Sequence, residues 1–186
     1  TKPNLLLARQ MFAKAIELDP LYARAYAGTA DCDSFLFLQY SEDGSIEGIL
    51  ANCAKALSLD TRLAEARASR GLALSLNQNF AEAEAEFELA IASNPNLFEV
   101  HYFYARVCYT QLKLEEAARH FERAAEVNVD DYQSPSLLQQ VYHGLGQPEK
   151  ERAAARRAVE RASRDIVRNP DSPRPLYLGA NALAGL

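Results

Sequence analysis

Apolar residues recur along the chain at helical rather than strand spacing, and they do so in aligned blocks. Four stripes at i, i+4, i+7 stand out: Ala8, Phe12, Ala15; Ile49, Cys53, Ala56; Ala83, Phe87, Ala90; and Ala117, Phe121, Ala124. Residues so spaced share one helix face, so each block predicts an amphipathic helix with a buried stripe. Each stripe runs into a closing segment that also repeats: Ala15-Ile16-Glu17-Leu18-Asp19-Pro20, Ala56-Leu57-Ser58-Leu59-Asp60-Thr61, Ala90-Ile91-Ala92-Ser93-Asn94-Pro95 and, more faintly, Ala124-Ala125-Glu126-Val127-Asn128-Val129. The closing alanines are 41, 34 and 34 residues apart. Between the stripes lies a second helical stretch with small residues, Arg70-Gly71 with Leu74 and Tyr104-Ala105 with Cys108. A small residue at Gly71 or Ala105 lets two helix backbones come close, and a Phe on the other helix fills the space beside it.

A 34-residue unit of two antiparallel helices, with Ala, Ala, Phe, Ala and a terminal Pro in register, resembles the tetratricopeptide repeat. The resemblance implies an all-α fold, a right-handed superhelical solenoid of antiparallel helix pairs, because one such pair cannot bury its apolar face alone. Its register divides the chain into one array over residues 1–186. Residues 3–19 read as the second helix of a truncated repeat, residues 23–63, 64–97, 98–131 and 132–168 as complete repeats, and residues 172–186 as a further first helix with Leu178-Gly179 and Ala182 in the motif positions. The large residue expected early in each first helix is met by Tyr26 and His101, while Arg67 and Pro135 depart from the pattern. Seven extra residues in the first complete repeat fall around Phe35 to Gly44, where Ser41-Glu42-Asp43-Gly44 is turn chemistry. The run Phe35-Leu36-Phe37-Leu38 with Tyr40 reads as the packed extension of a lengthened first helix rather than an exposed patch. The second helix of the last complete repeat is expected to extend to the stop at Asn169-Pro170-Asp171-Ser172-Pro173. A start at Thr1 without Met, and an end at Leu186 inside an apolar-periodic segment, give the expectation of a piece of a longer protein.

The same resemblance implies a concave groove that holds peptide segments of partner proteins. Its groove-facing positions map to Arg24, Ala27, Asp31 and Ser34; Glu65, Ala68, Leu72 and Ser75; Glu99, Tyr102, Arg106 and Tyr109; and Gln133, Ser136, Gln140 and His143. Tyr102, Arg106 and Tyr109 share one helical face and are of the types enriched at binding hot spots, so they are the leading expected contacts, with Arg24, Asp31, Gln140 and His143 secondary. The alternative is that the trio covers helix surface or contacts repeats missing from the chain. The Lys-Asn-Arg carboxylate clamp of chaperone-binding members is absent, since Ala27, Asp31, Ala68 and Leu72 stand in its place. That argues against recognition of a free C-terminal carboxylate.

Composition narrows the partner class. Lys plus Arg 20 against Asp plus Glu 25 gives a net charge of −5, which argues against a nucleic-acid or anionic-membrane coat. The Arg-rich stretch Pro148 to Arg168 is interleaved with Glu149, Glu151 and Glu160 at helical pairing distance and reads as a solvated face. No apolar run is long enough for a membrane span, and no signal peptide is evident. Cys32, Cys53 and Cys108 form an odd, scattered set that indicates neither disulfides nor zinc, so a reducing, cytoplasmic setting is expected. Cys53 and Cys108 occupy core motif positions.

Catalytic motifs are not found. His101, His120 and His143 fall far apart in the register, and Gly144-Leu145-Gly146 belongs to a turn that closes a helix rather than to a phosphate loop. No catalytic residue, metal ligand or cofactor is assigned. The expected function is a non-catalytic protein–protein interaction module that takes a protein or peptide. The alternative follows from the wording of residues 15–28, which looks like repeat regions that accompany adenylate cyclase, protein kinase or winged-helix regulator domains in bacteria. On that reading the chain is the regulatory or scaffolding arm of a signalling enzyme or transcription regulator whose active domain lies outside it. Exposed stacking surfaces at the two ends would also allow pairing with another copy.

Overall fold

The computed structural model describes residues 1–40 and 45–186, and among them only helices and turns occur. Across these described residues ten helices follow in order: α1 Lys2–Leu18, α2 Ala23–Tyr40, α3 Ile46–Leu59, α4 Ala64–Leu76, α5 Phe80–Ser93, α6 Phe98–Thr110, α7 Leu114–Val127, α8 Gln133–Gly144, α9 Pro148–Arg168 and α10 Pro173–Ala184. The expected turn at Ser41–Gly44 lies outside the described residues. Two compact units arise, Thr1–Tyr104 and Ala105–Leu186. In each, short connections force successive helices into antiparallel pairs.

In the first unit α1 packs on α2, α2 on α3, α3 on α4 and α4 on α5, and the two first helices α2 and α4 also touch. Two of its three stripes form its core, with Ile49, Cys53, Ala56, Ala83, Phe87 and Ala90 fully buried, whereas Ala8, Phe12 and Ala15 on the terminal α1 are half-buried. Close approach of the backbones is set by glycine. A Cβ placed on Gly71 would come within 2.7 Å of the Phe87 ring, and one on Gly28 within 2.5 Å of Phe12. The other face of the Phe87 ring stacks on Tyr104, with ring centroids 4.8 Å apart. An ion pair, Arg9 to Asp33 at 3.0 Å, ties α1 to α2, and Glu86 on α5 receives both Arg67 and Arg70 from α4. Phe35, on the lengthened α2, lies against Phe103 at 5.2 Å and stacks on Tyr102 at 6.0 Å. Leu36 is buried and Phe37, Leu38 and Tyr40 are half-buried, so the apolar extension is packed.

In the second unit α8 packs on α7 and α9, and α10 on α9 and α8. Ala117, Phe121 and Ala124 are buried, as are Ala154, Ala155, Ala158 and Ala162 along α9. α9 runs to Arg168 before the Asn-Pro-Asp-Ser-Pro stop. Four of its six arginines, Arg152, Arg161, Arg164 and Arg168, bond within the chain. Arg161 donates to the carbonyls of Ala125, Asn128 and Asp131, Arg168 pairs with Asp130 at 2.9 Å, and Arg152 pairs with Glu149.

Two junctions recur along the chain. After α1, α3, α5 and α7 an Asx turn redirects the backbone: the side chains of Asp19, Asp60, Asn94 and Asn128 accept from the N–H two residues on, at 3.0 to 3.1 Å. The next helix then reaches back to the same connection. Tyr26 Oη donates to the Pro20 carbonyl, Arg67 Nη2 to that of Thr61, and His101 Nε2 to that of Pro95, each six residues upstream. Because a carbonyl only accepts, the His101 proton in this bond sits on Nε2. Arg67 thus departs from the pattern in side chain but makes the same bond.

Between the two helices of a pair, residues Gln78, Leu112 and Gly146, 34 apart, all take left-handed backbone with φ of 64°, 58° and 65°. Each sits in a helix-closing turn in which the following N–H bonds back to Leu74, Cys108 or Tyr142. Glycine occupies one of the three. Leu112 is 79% exposed, so replacing it loses almost no packing. Leu112→Gly should therefore raise stability by up to about 1 kcal/mol in urea denaturation. Gly71→Ala should lower it by about 1–3 kcal/mol, because the Phe87 ring has no room to yield between α4 and Tyr104.

Candidate functional site

Each unit holds a concave site lined by first-helix residues. The cavity of the first unit measures ≈ 400 Å³ and is walled by Phe12, Tyr22, Ala27, Gly28 and Leu97 together with Arg24, Asp31, Glu65 and Glu99. Its carboxylates come from three separate helices: Asp31 from α2, Glu65 from α4 and Glu99 from α6. Glu65 and Glu99 hold the same register position on successive first helices, the one Arg24 holds on α2, whereas Asp31 lies about two turns further along α2. Among the described residues no hydrogen bond or ion pair reaches the Asp31 or Glu65 side chain, and exposed Arg24 makes no ion pair with the trio. Surrounding protein desolvates Asp31, although it retains some surface on the cavity. That burial, with Glu99 and Glu65 nearby, raises its carboxyl well above the usual carboxylate range. Glu99 is also raised, first by burial, while its own backbone N–H acts in the opposite direction and Glu65 adds to the rise.

The cavity of the second unit measures ≈ 470 Å³ and is lined by Tyr109, Gln139, Gln140, His143, Glu151, Asn181, Ala184 and Gly185. Three of the residues chosen from the sequence, Tyr109, Gln140 and His143, meet here from α6 and α8. His143 is 79% exposed and its Nδ1 lies 3.2 Å from Glu151. Two more amides, Gln139 and Asn181, join Gln140, so the site offers paired donors and acceptors. Sequence reasoning missed Gln139, Asn181 and Glu151. Asn181 could have been found by extending the groove register into the last helix.

Of the other expected contacts, Arg24 and Asp31 line the first cavity. Arg106 is half-buried and lines neither site. Tyr102 corrects the expectation of an open contact surface: it is 0% exposed. The reason is local filling. Its ring is stacked against Phe35 and Phe98, so the chain's own aromatics take the place a partner would occupy. Several other groove-register positions, Ala27, Ser34, Ala68, Leu72, Ser75 and Ser136, are also buried.

The described side chains form no catalytic cluster, and no three His, Cys, Asp or Glu among them are placed to hold a metal ion. Buried Cys32 and Cys53 have thiols pushed up to about 12 by burial, which leaves them protonated and inert. Among the described residues no helix is long and apolar enough to cross a membrane.

These features define a helix-pair repeat module that presents concave sites on its first helices. The tetratricopeptide repeat family model matches residues 64–97, and the fold of the chain is similar to that of solved tetratricopeptide repeat proteins. No curated protein matches by sequence. Among solved structures, the thermophilic TPR protein TTC0263 of Thermus thermophilus is similar at 18% identity and TM-score 0.69, covering 95% of this chain and 89% of its own. YrrB, described as a TPR protein with an unusual peptide-binding site, is similar at 21% identity and TM-score 0.58, with 96% and 93% covered. The human IFIT1 dimer with m7Gppp-AAAA is similar at 18% identity and TM-score 0.70 over 98% of this chain and 43% of that one.

The first cavity has a testable signature. Asp31 takes up its proton at higher pH when folded than when unfolded, so the folded state binds more protons in that window and stability falls as pH rises through it. Asp31→Asn should flatten this fall and raise the melting temperature at neutral pH, as read by thermal denaturation across a pH series. A steeper fall in the variant would contradict the assignment.

Proposed function

We propose that the chain binds an extended segment of a partner protein in the cavity of its second unit, through Tyr109, Gln140 and His143. The carrying observation is convergence: residues selected by repeat register on α6 and α8 line one open cavity. Side-chain amides both donate and accept, which suits a peptide backbone, and Tyr109 supplies apolar area with a polar tip. Arg106 and Tyr102 belong to the same helix as Tyr109 and serve its packing rather than direct contact.

The proposal takes protein rather than nucleic acid as the ligand, and a cytoplasmic setting. Net charge −5 and the self-paired arginines of α9 support the first, and three cysteines kept as buried free thiols support the second.

The test is capture from lysate of the source cells with the parent chain and the Tyr109→Ala/Gln140→Ala double variant side by side, followed by calorimetry on whatever the parent retains. The variant should bind about 1–2 kcal/mol more weakly with unchanged helicity. Equal affinity would remove this cavity from the function.

A further inference from the structure

We infer that the cavity of the first unit is a receptor for the side chain of an Arg or Lys in a partner peptide, gripped by Asp31, Glu65 and Glu99. This inference concerns a different site from the one proposed above and stands independently of it.

Three carboxylates from three helices face one space, yet among the described residues no cation is paired with Asp31 or Glu65. The chain uses arginine freely elsewhere to satisfy acids, as at Glu86, which receives Arg67 and Arg70, and at Asp130, which receives Arg168. Here the one arginine on the wall, Arg24, is exposed and makes no such pair. Asp31 is crowded enough by protein to be desolvated but still opens on the cavity, and its two acidic neighbours oppose its ionisation further. An unpaired, desolvated carboxylate is a standing cost that a bound cation would offset.

The kind of cation follows from spacing and from the walls. Among the described residues no three acidic, His or Cys side chains are close enough to share a metal ion, so a compact divalent ion does not fit the arrangement. A guanidinium or ammonium on a long stem does. The Phe12, Tyr22, Ala27 and Leu97 walls offer apolar surface for the methylenes, while the carboxylates receive the head group. A volume of ≈ 400 Å³ leaves space for such a side chain and part of the backbone that carries it. The charge is opposite to that of the carboxylate clamp whose residues are missing from this groove, so the preferred peptide is basic and is read internally rather than at a C-terminal carboxylate.

The experiment uses the whole 186-residue chain and N-acetylated, fluorescently labelled peptide mixtures of one length, with Arg, Lys, citrulline or Glu fixed at the centre. Fluorescence anisotropy should show the Arg and Lys mixtures binding at least about tenfold more tightly than citrulline, the size expected of one charge-assisted bond. Asp31→Asn with Glu99→Gln should abolish that preference while melting at the parent temperature or above. Tyr109→Ala/Gln140→Ala should leave it intact, so failure here is separable from failure at the other cavity. Equal binding of Arg and citrulline mixtures, absence of binding to all, or a preference that survives the Asp31/Glu99 double variant would each overturn the inference. So would binding that appears only when the peptides carry a free N-terminal amine.

Discussion

The helix pairs α1–α2 and α4–α5 depend on how closely two backbones can approach, and that distance is set where an aromatic ring meets a residue without a side chain. Phe87 lies over Gly71 and Phe12 over Gly28 at separations that leave no room for a Cβ. Helices of 12 to 21 residues are marginal alone in water, so their formation depends on these contacts more than on helix propensity. Once the pairs close, the first helices are aligned side by side, and only then do residues more than thirty positions apart, such as Asp31, Glu65 and Glu99, line one space.

Helix positions and their buried stripes were legible because they follow from a period that the sequence displays directly. Ile49, Cys53, Phe87, Ala90 and Phe121 are all fully buried. What escaped was chemistry that different side chains can perform alike. Arg67 looks foreign in a position held elsewhere by Tyr26 and His101, but all three donate to the carbonyl six residues upstream. Gln78 and Leu112 give no hint of left-handed backbone, which only Gly146 signals, because the preceding helix imposes the turn and the residue tolerates it. The site was half legible for a related reason. Register places Tyr109, Gln140 and His143 together, but it cannot know that a lengthened α2 brings Phe35 onto Tyr102 and closes that stretch of surface.

The two cavities differ in how they treat charge. In the second unit the acid on the wall, Glu151, lies 3.2 Å from Nδ1 of the exposed His143, a contact that solvent weakens. In the first, like charges gather where the protein partly excludes water, and folding works against them. Such an arrangement persists only because the alanine and phenylalanine core beneath it is closely packed. Cys53 and Ala56 on α3, with Ala66 and Ala73 on α4, are fully buried.

The junctions between pairs have a consequence for recombining the repeats. From Asp60 to Thr61 and Arg67, and again from Asn94 to Pro95 and His101, each connection is fastened by its own Asx turn and by a side chain from the helix that follows. A segment excised just after Leu63 and Leu97 would carry the Asn94 turn of its exit and the Arg67 donor of its entrance, and would need from its neighbours a turn like that of Asp60 and a donor like His101, so such segments are interchangeable parts. The connection after Asn128 is different. Pro135 has no donor to offer, and the guanidinium of Arg161, a full helix further on, bonds the carbonyls instead. Residues from Ala125 to Arg161 therefore form one indivisible block: a chimera that joins α8 to a foreign second helix would take the Arg161 donor from the carbonyls of Ala125, Asn128 and Asp131, and the seam would open there first.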